Sequence, residues 1–339
     1  MRKTMILGFA LIWVAQLCWA EVNSSQPLKI YYASANGTSD DALRLALYDV
    51  IKDHTQIGYK QLGPIMQWSD TENADGVHIV DIYTNCPYTV SGPVSFGNAS
   101  SVGGGMNREH TVPQSWFGEA EPMRSDVFHV YPTDCKANNN RSSYLFGECA
   151  NGSSSSTSKC KETGKLGSSD WSVFSGTVYE VVDEYKGDIA RSYFYMATRY
   201  ANVCASWGGG AFGSMNNGLG AYTAELMLKW HQQDPVSEKE LIRNEVIYGN
   251  PLYNKSSSKQ GNRNPFIDYP ELVDYIWGSK KNVPVTIDLL ESPYANESPA
   301  TDVEYVLSNE PVAHKVLVNG QIYIVVDEQL FNLQGQRVK

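Results

Sequence analysis

Residues 107–118 read NREHTVPQSWFG, which sets Arg108, Glu109 and His110 side by side directly after the glycine-rich SVGGGM. A carboxylate next to an imidazole can be a chance surface pairing, one proton-transfer device, or two groups with separate tasks. Consecutive side chains on a strand face opposite ways, so a strand here predicts separate tasks. Nearly thirty residues later, NNNRSS places Asn138 and Arg141 three positions apart, one turn apart if that piece is helical. Between them lies DVFHVYP, from which a short strand is expected around residues 128–131.

These residue types suit phosphodiester chemistry. A hard divalent ion such as Mg²⁺ takes oxygen ligands and keeps several waters, so one or two protein oxygens suffice. Glu109 and Asn138 can supply them. His110, directed away from Glu109, is suited to taking a proton from an attacking water at neutral pH. Arg141 has the forked guanidinium that holds a phosphate oxygen. The bland alternatives stand beside this: a histidine before Thr-Val-Pro is ordinarily packed or superficial, an Asn run is ordinarily a turn, and Arg141 can equally pair with a structural carboxylate. Arg108 reads as a surface residue. His129 reads as structural, and His231 as a helix-surface residue with no chemical role.

Taken with REHTVPQSWFG, HVYPTD, NNNRSSYLFGE, DEYKGDIARSYFYMATRY and GNRNPFIDYPELVDYIWG, the chain resembles the bacterial endonuclease I family over roughly residues 39–278. These are exported or periplasmic nonspecific nucleases with the ββα-metal (His-Me finger) motif. The resemblance implies His110 as general base, Glu109 and Asn138 as metal ligands, and Arg141 as the arginine of the N-x-x-R-S pattern. It further implies a cofactor of Mg²⁺, or another divalent ion such as Mn²⁺ or Ca²⁺, and DNA, together with RNA, as substrate. Cleavage would leave 5′-phosphate and 3′-hydroxyl ends. Ser143 stands where the family more often carries Asn, and Arg124 where an uncharged residue is common, which raises the question of an added phosphate contact.

The elements that must position these groups are expected to form an α+β fold, mainly helical, with the ββα motif embedded in it. SDDALRLALYDVIKDH, with Ser39 as cap and Leu43, Leu47, Val50 and Ile51 as its apolar stripe, predicts an amphipathic helix. A strand is expected at 77–83 and helices in four later segments, DEYKGDIARSYFYMATRYAN, AYTAELMLKWHQQ, SEKELIRNEVIYGN and YPELVDYIWG. The nuclease domain is expected over 21–281, a Pro- and Ser-rich linker over 282–311, and a small β-hairpin module over 312–339, turning at Asn319 and Gly320 and serving as an attachment tail or a packed hairpin.

The first twenty residues have the form of a secretory signal peptide, with no later membrane span. Its removal leaves 25 basic against 37 acidic side chains, a net charge of −12, which argues against a nonspecific polyanion binder. Only 136–165 is locally basic, with five basic residues against two acidic. The mature chain is expected to be a monomer in which Cys149 and Cys160, bracketing a Ser-rich loop, form a disulfide, with one of five cysteines left over.

Overall fold

A computed structural model describes residues 22–295, together with the backbone of three strands between His314 and Phe331. The expected leader at 1–20 lies outside the described residues. Helices α1 (Leu28–Tyr31), α2 (Asp40–Ile51) and α3 (Leu62–Ser69) lead into strand β1 (Met106–His110). Leu43, Leu47 and Ile51, spaced four apart, bury one face of α2. Ser39 holds the N-cap position of α2 without a side-chain capping bond.

Strand β2 (Val130–Asp134) pairs antiparallel with β1, setting Asn107 opposite Thr133, Arg108 opposite Pro132, Glu109 opposite Tyr131 and His110 opposite Val130. Helix α4 (Cys135–Arg141) follows with no intervening loop. Its first residues are held by Asp134, whose Oδ1 accepts from the Lys136 and Ala137 amides at 2.8 and 3.0 Å. The last residue of β2 is thus the N-cap of α4, and it satisfies two otherwise orphaned donors. This strand–strand–helix unit carries the residues singled out above. The expected strand at 128–131 is displaced by two residues, because Asp126 accepts from the Phe128 amide and holds that stretch as a turn.

No strand forms at 77–83. The segment makes only isolated bridges, Thr71 to Ile79 and His78 to Thr89, with a further one just beyond it from Thr84 to Glu162. Buried Asp81 bends it, accepting from the Tyr83 amide and Thr84 hydroxyl, and reaching the Thr133 hydroxyl and Asp134 amide of β2. The β-branched run is therefore a brace for the β2–α4 junction.

Strands β3 (Leu145–Phe146), β4 (Gly152–Ser153), β5 (Lys165–Ser168) and β6 (Thr177–Glu180) form a four-stranded sheet in the order β3-β6-β5-β4. Helices α5 (Lys186–Arg199), α6 (Ala221–Gln233), α7 (Glu238–Tyr248), α8 (Pro265–Asp268) and α9 (Leu272–Ile276) complete the body. Every residue of α5 is buried, so it is the core helix on which the strand–strand–helix unit rests. Tyr193 donates to the Thr111 carbonyl at 3.0 Å, Ser192 to the Phe128 carbonyl, and Tyr195 to Asp126. Helix α7 starts with a complete capping box between Ser237 and Glu240.

Two sequence expectations are corrected. The disulfide joins Cys86 to Cys160, not Cys149 to Cys160. The Asn85 amide donates to the Lys161 carbonyl and Asn85 Oδ1 accepts from the Lys161 amide, carrying Cys86 alongside Cys160, whereas Cys149 is buried with its thiol directed at the Lys165 carbonyl on β5. Cys135, Cys149 and Cys204 are buried thiols. The body also continues past the boundary expected at 281: Val285, Ile287, Leu290 and Tyr294 are buried, and the Tyr294 hydroxyl accepts from Arg263 at 3.0 Å.

The C-terminal residues cluster as a separate unit. There β7 (His314–Val318), β8 (Gln321–Val326) and β9 (Gln329–Phe331) pair antiparallel in that order. The β7–β8 register closes with Val318 opposite Gln321, and the turn expected at residues 319–320 lies outside the described residues.

Candidate active site

A cavity of about 540 Å³ opens over β1 and the end of α4, lined by Glu109, His110, Asn138 and Arg141 together with Arg108 and Tyr59. All four sequence-predicted site residues therefore meet in one place. The alternation of β1 divides them: Arg108 and His110 lie on one side of the strand, and Asn107 and Glu109 on the other.

Glu109 is almost fully buried. Its Oε1 accepts from the Tyr83 hydroxyl at 2.8 Å and lies 3.3 Å from Nη1 of Arg141. Burial raises its carboxyl to about 7, against the opposing pull of Arg141 and the Tyr83 hydroxyl. Asn138, three residues before the end of α4, donates from Nδ2 to Asn107 Oδ1 at 2.7 Å and to the Arg108 carbonyl at 3.1 Å. A backbone carbonyl can only accept, so this fixes which way the amide points. Oδ1 of Asn138 is the atom left to act as a ligand. A carboxylate oxygen and an amide oxygen at one cavity wall are a fitting donor set for a hard divalent ion that retains waters. Burial that penalises a bare carboxylate is offset by such an ion. Among the described residues no group of three or more His, Cys, Asp or Glu gathers to cage a metal.

His110 donates from Nε2 to the Arg124 carbonyl at 2.9 Å. The tautomer is fixed by the same reasoning as for Asn138, and Nδ1 is left as the unprotonated nitrogen. Burial, reinforced by the neighbouring His129, lowers the imidazole to about 3, so it is neutral near pH 7 and a weaker base than a free imidazole. Its ring stacks on Tyr59 at 5.8 Å and meets the edge of His129 at 5.6 Å. His129 is itself fully buried and donates from Nε2 to the Met123 carbonyl.

Arg141, expected to reach a phosphate, is enclosed. It is 1% exposed, and its guanidinium donates to the carbonyls of His110, Thr111 and Ser142 beside the Glu109 ion pair. It locks the end of β1 to the end of α4. Ser142 follows with a φ of +53°, a turn that brings Ser142 and Ser143 to the cavity wall.

Several residues that brace or line the site are not singled out by the sequence pattern. Tyr83 and Asp81 come from the segment read as a strand, and nothing in its local pattern shows that its side chains serve residues 26 to 53 positions away. Asp134 did carry a signal, since an acidic residue before CKANNNR is a standard N-cap. Arg108 is not a free surface residue: its guanidinium carbon lies 4.0 Å from the Phe96 ring centroid and 4.6 Å from that of Tyr59. Nor is His231 simply superficial, because its ring packs against Phe194 and Nδ1 accepts from Arg191 at 3.2 Å.

The chain matches the family described as Endonuclease I over residues 39–271. It is 34% identical over 268 residues to an "Extracellular ribonuclease" of Bacillus amyloliquefaciens, covering 76% of this chain and 81% of that one. It is 32% identical over 251 residues to an "Extracellular ribonuclease" of Bacillus subtilis (strain 168), covering 73% and 78% respectively.

Proposed function

This chain belongs to the endonuclease I family and is a nuclease; we propose that it is an exported, divalent-metal-dependent endonuclease cutting DNA and RNA with little sequence preference. The observation that carries this reading is a neutral imidazole and an oxygen-only ligand pair at one cavity on a strand–strand–helix unit. Export is supported by the signal-like first twenty residues and by relatives named extracellular. Among the described residues no helix is long and apolar enough to cross a membrane.

Glu109 and Asn138 would hold Mg²⁺, or Mn²⁺ or Ca²⁺ in its place. When bound, such an ion supplies neutralisation of the charge that builds on the phosphate ester. The chain's own part is proton handling and placement. Nδ1 of His110 takes a proton from water as its oxygen attacks phosphorus. The P–O bond to the 3′ oxygen breaks, that oxygen leaves with a proton from solvent, and a 5′-phosphate end results. The imidazolium so formed is steadied by the Arg124 carbonyl on Nε2, which becomes a better acceptor partner as the ring gains charge. Because the nucleic acid would be held chiefly through phosphates, turnover should show little sequence preference and strong salt sensitivity.

The test is nicking of supercoiled plasmid and cleavage of structured RNA by wild type, His110→Ala and Glu109→Ala, with and without chelator. His110→Ala should lose about 10²- to 10⁴-fold in turnover while keeping ion affinity. Glu109→Ala should lose both. Cleavage that survives chelation, or that His110→Ala leaves intact, overturns the reading.

A further inference from the structure

Arg108 and Arg141 line the cavity and Arg124 lies over the Tyr59 ring at 4.2 Å, and the surroundings of the three guanidiniums differ in one respect that matters. Arg141 is paired with Glu109 and committed to backbone carbonyls. Arg124 is paired with Glu119 at 3.3 Å and donates to Gln114 at 3.0 Å. Arg108 forms no ion pair among the described residues, and its Nε is buried without a hydrogen-bond partner. It is held instead by flat faces, Phe96 at 4.0 Å and Tyr59 at 4.6 Å, with the Tyr59 hydroxyl as its polar neighbour.

A half-buried cation without a counter-charge is costly unless a ligand provides one. Packing of the guanidinium over two rings restrains its plane without committing it to a carboxylate, which is how Arg presents a fork to a phosphate. Strand alternation adds the placement. Arg108 and His110 are two residues apart on the same face of β1, and both rest on Tyr59. The expected spacing of same-face neighbours is roughly 7 Å, short enough for one phosphodiester to meet both side chains. The acidic balance of the whole chain, −10, makes an uncompensated guanidinium inside this cavity the more telling.

We propose that Arg108, rather than Arg141, is the guanidinium that grips the substrate phosphate on which His110 acts, with Tyr59 and Phe96 holding its plane. Arg141 is then a positioning residue for Glu109 and the end of β1. This assignment rests on the nuclease reading above.

The test combines salt dependence with ion binding. In a His110→Ala background, which binds without cutting, the affinity for a fluorescent duplex oligonucleotide is measured across a KCl series in Mg²⁺, with and without Arg108→Ala. Loss of one phosphate contact should make the log–log salt slope shallower by about 0.9. In the otherwise wild-type enzyme Arg108→Ala should lower kcat/KM by about 10- to 100-fold, with calorimetric Mg²⁺ affinity unchanged. Arg108→Lys, which keeps the stem between the two rings and the charge, should keep the wild-type slope yet fall short in kcat/KM. Arg141→Lys should do the reverse, weakening Mg²⁺ binding and lowering the unfolding temperature without changing the slope. A wild-type slope in Arg108→Ala, or Mg²⁺ affinity lost along with activity, overturns the proposal. If wild type itself cuts neither plasmid nor RNA, the nuclease reading is what has failed; if wild type cuts and only the Arg108 predictions miss, this assignment alone has failed.

Discussion

Removing the Cys86–Cys160 bridge should destabilise the enzyme more than any disulfide the local sequence suggests. The two cysteines are 74 residues apart, and the loop they close contains β1, β2 and α4, the strand–strand–helix unit that lines the cavity. In the chain-entropy treatment a loop of that length contributes about 4.4 kcal/mol at 25 °C, while the Cys149–Cys160 pairing expected from spacing would contribute only about 2.8 kcal/mol. Residual order in the unfolded chain makes the first figure a ceiling, so the Cys86→Ser/Cys160→Ser double variant should lose about 2 to 4 kcal/mol. Urea unfolding of both proteins measures this, with matched m-values showing that the transitions are comparable. Alkylation of the denatured but unreduced enzyme, followed by peptide mapping, checks the connectivity: Cys135, Cys149 and Cys204 should be labelled and Cys86 and Cys160 protected. Labelling at Cys86 with protection of Cys149, or a stability loss under about 1 kcal/mol, would refute the reasoning.

Burial raises the Glu109 carboxyl to about 7, so protons should compete with the divalent ion: affinity should fall about tenfold per pH unit below 7, and Glu109→Gln should bind weakly at every pH. Calorimetric titration at three pH values measures it, and a flat profile sinks it. His110, lowered to about 3, stays neutral through that range and so is not the source of an acid limb. The sign for stability follows: a folded-state value below the unfolded one disfavours the native state as pH falls through about 6.5, where the unfolded imidazole charges first. Tyr83→Phe deletes the hydroxyl donor to Glu109 and should weaken ion binding by about 10- to 100-fold with the fold intact; unchanged affinity would show that the hydroxyl does not orient the carboxylate. Asp134→Ala removes the cap of α4 along with the acceptor for the Gly103 amide and the Tyr88 hydroxyl. It should cost about 2 kcal/mol or more in urea unfolding, and a loss under about 0.5 kcal/mol would count against the cap as the start signal of the helix.

The residues read first in the sequence, Glu109, His110, Asn138 and Arg141, do converge on one cavity. That much was legible because it depends on short-range geometry: adjacent residues on a strand diverge, and residues three apart on a helix lie one turn apart. The long helices were legible for the same reason, since α2, α6 and α7 carry periodic apolar stripes and α7 a complete capping box.

What local pattern could not report is which polar groups meet across long separations. VHIVDIY has strand composition, yet buried Asp81 hydrogen-bonds to residues more than fifty positions away and bends the segment into a brace. Cys149 is near Cys160 in sequence but directed elsewhere, while Cys86 is brought beside it by bonds at Asn85 and Lys161. Arg108 and Arg141 have the same chemistry and comparable motif contexts. Only packing separates them, since Arg141 is spent on carbonyls and Glu109 whereas Arg108 lies between two rings with no ion pair among the described residues. The sequence by itself determined the candidate set that lines one cavity and most of the elements that display it, because propensity and periodicity act over a few residues. Tertiary structure alone decided the disulfide, the contact of His110 Nε2 with the Arg124 carbonyl and the different surroundings of Arg108 and Arg141, because burial and hydrogen-bond partners are properties of the assembled fold.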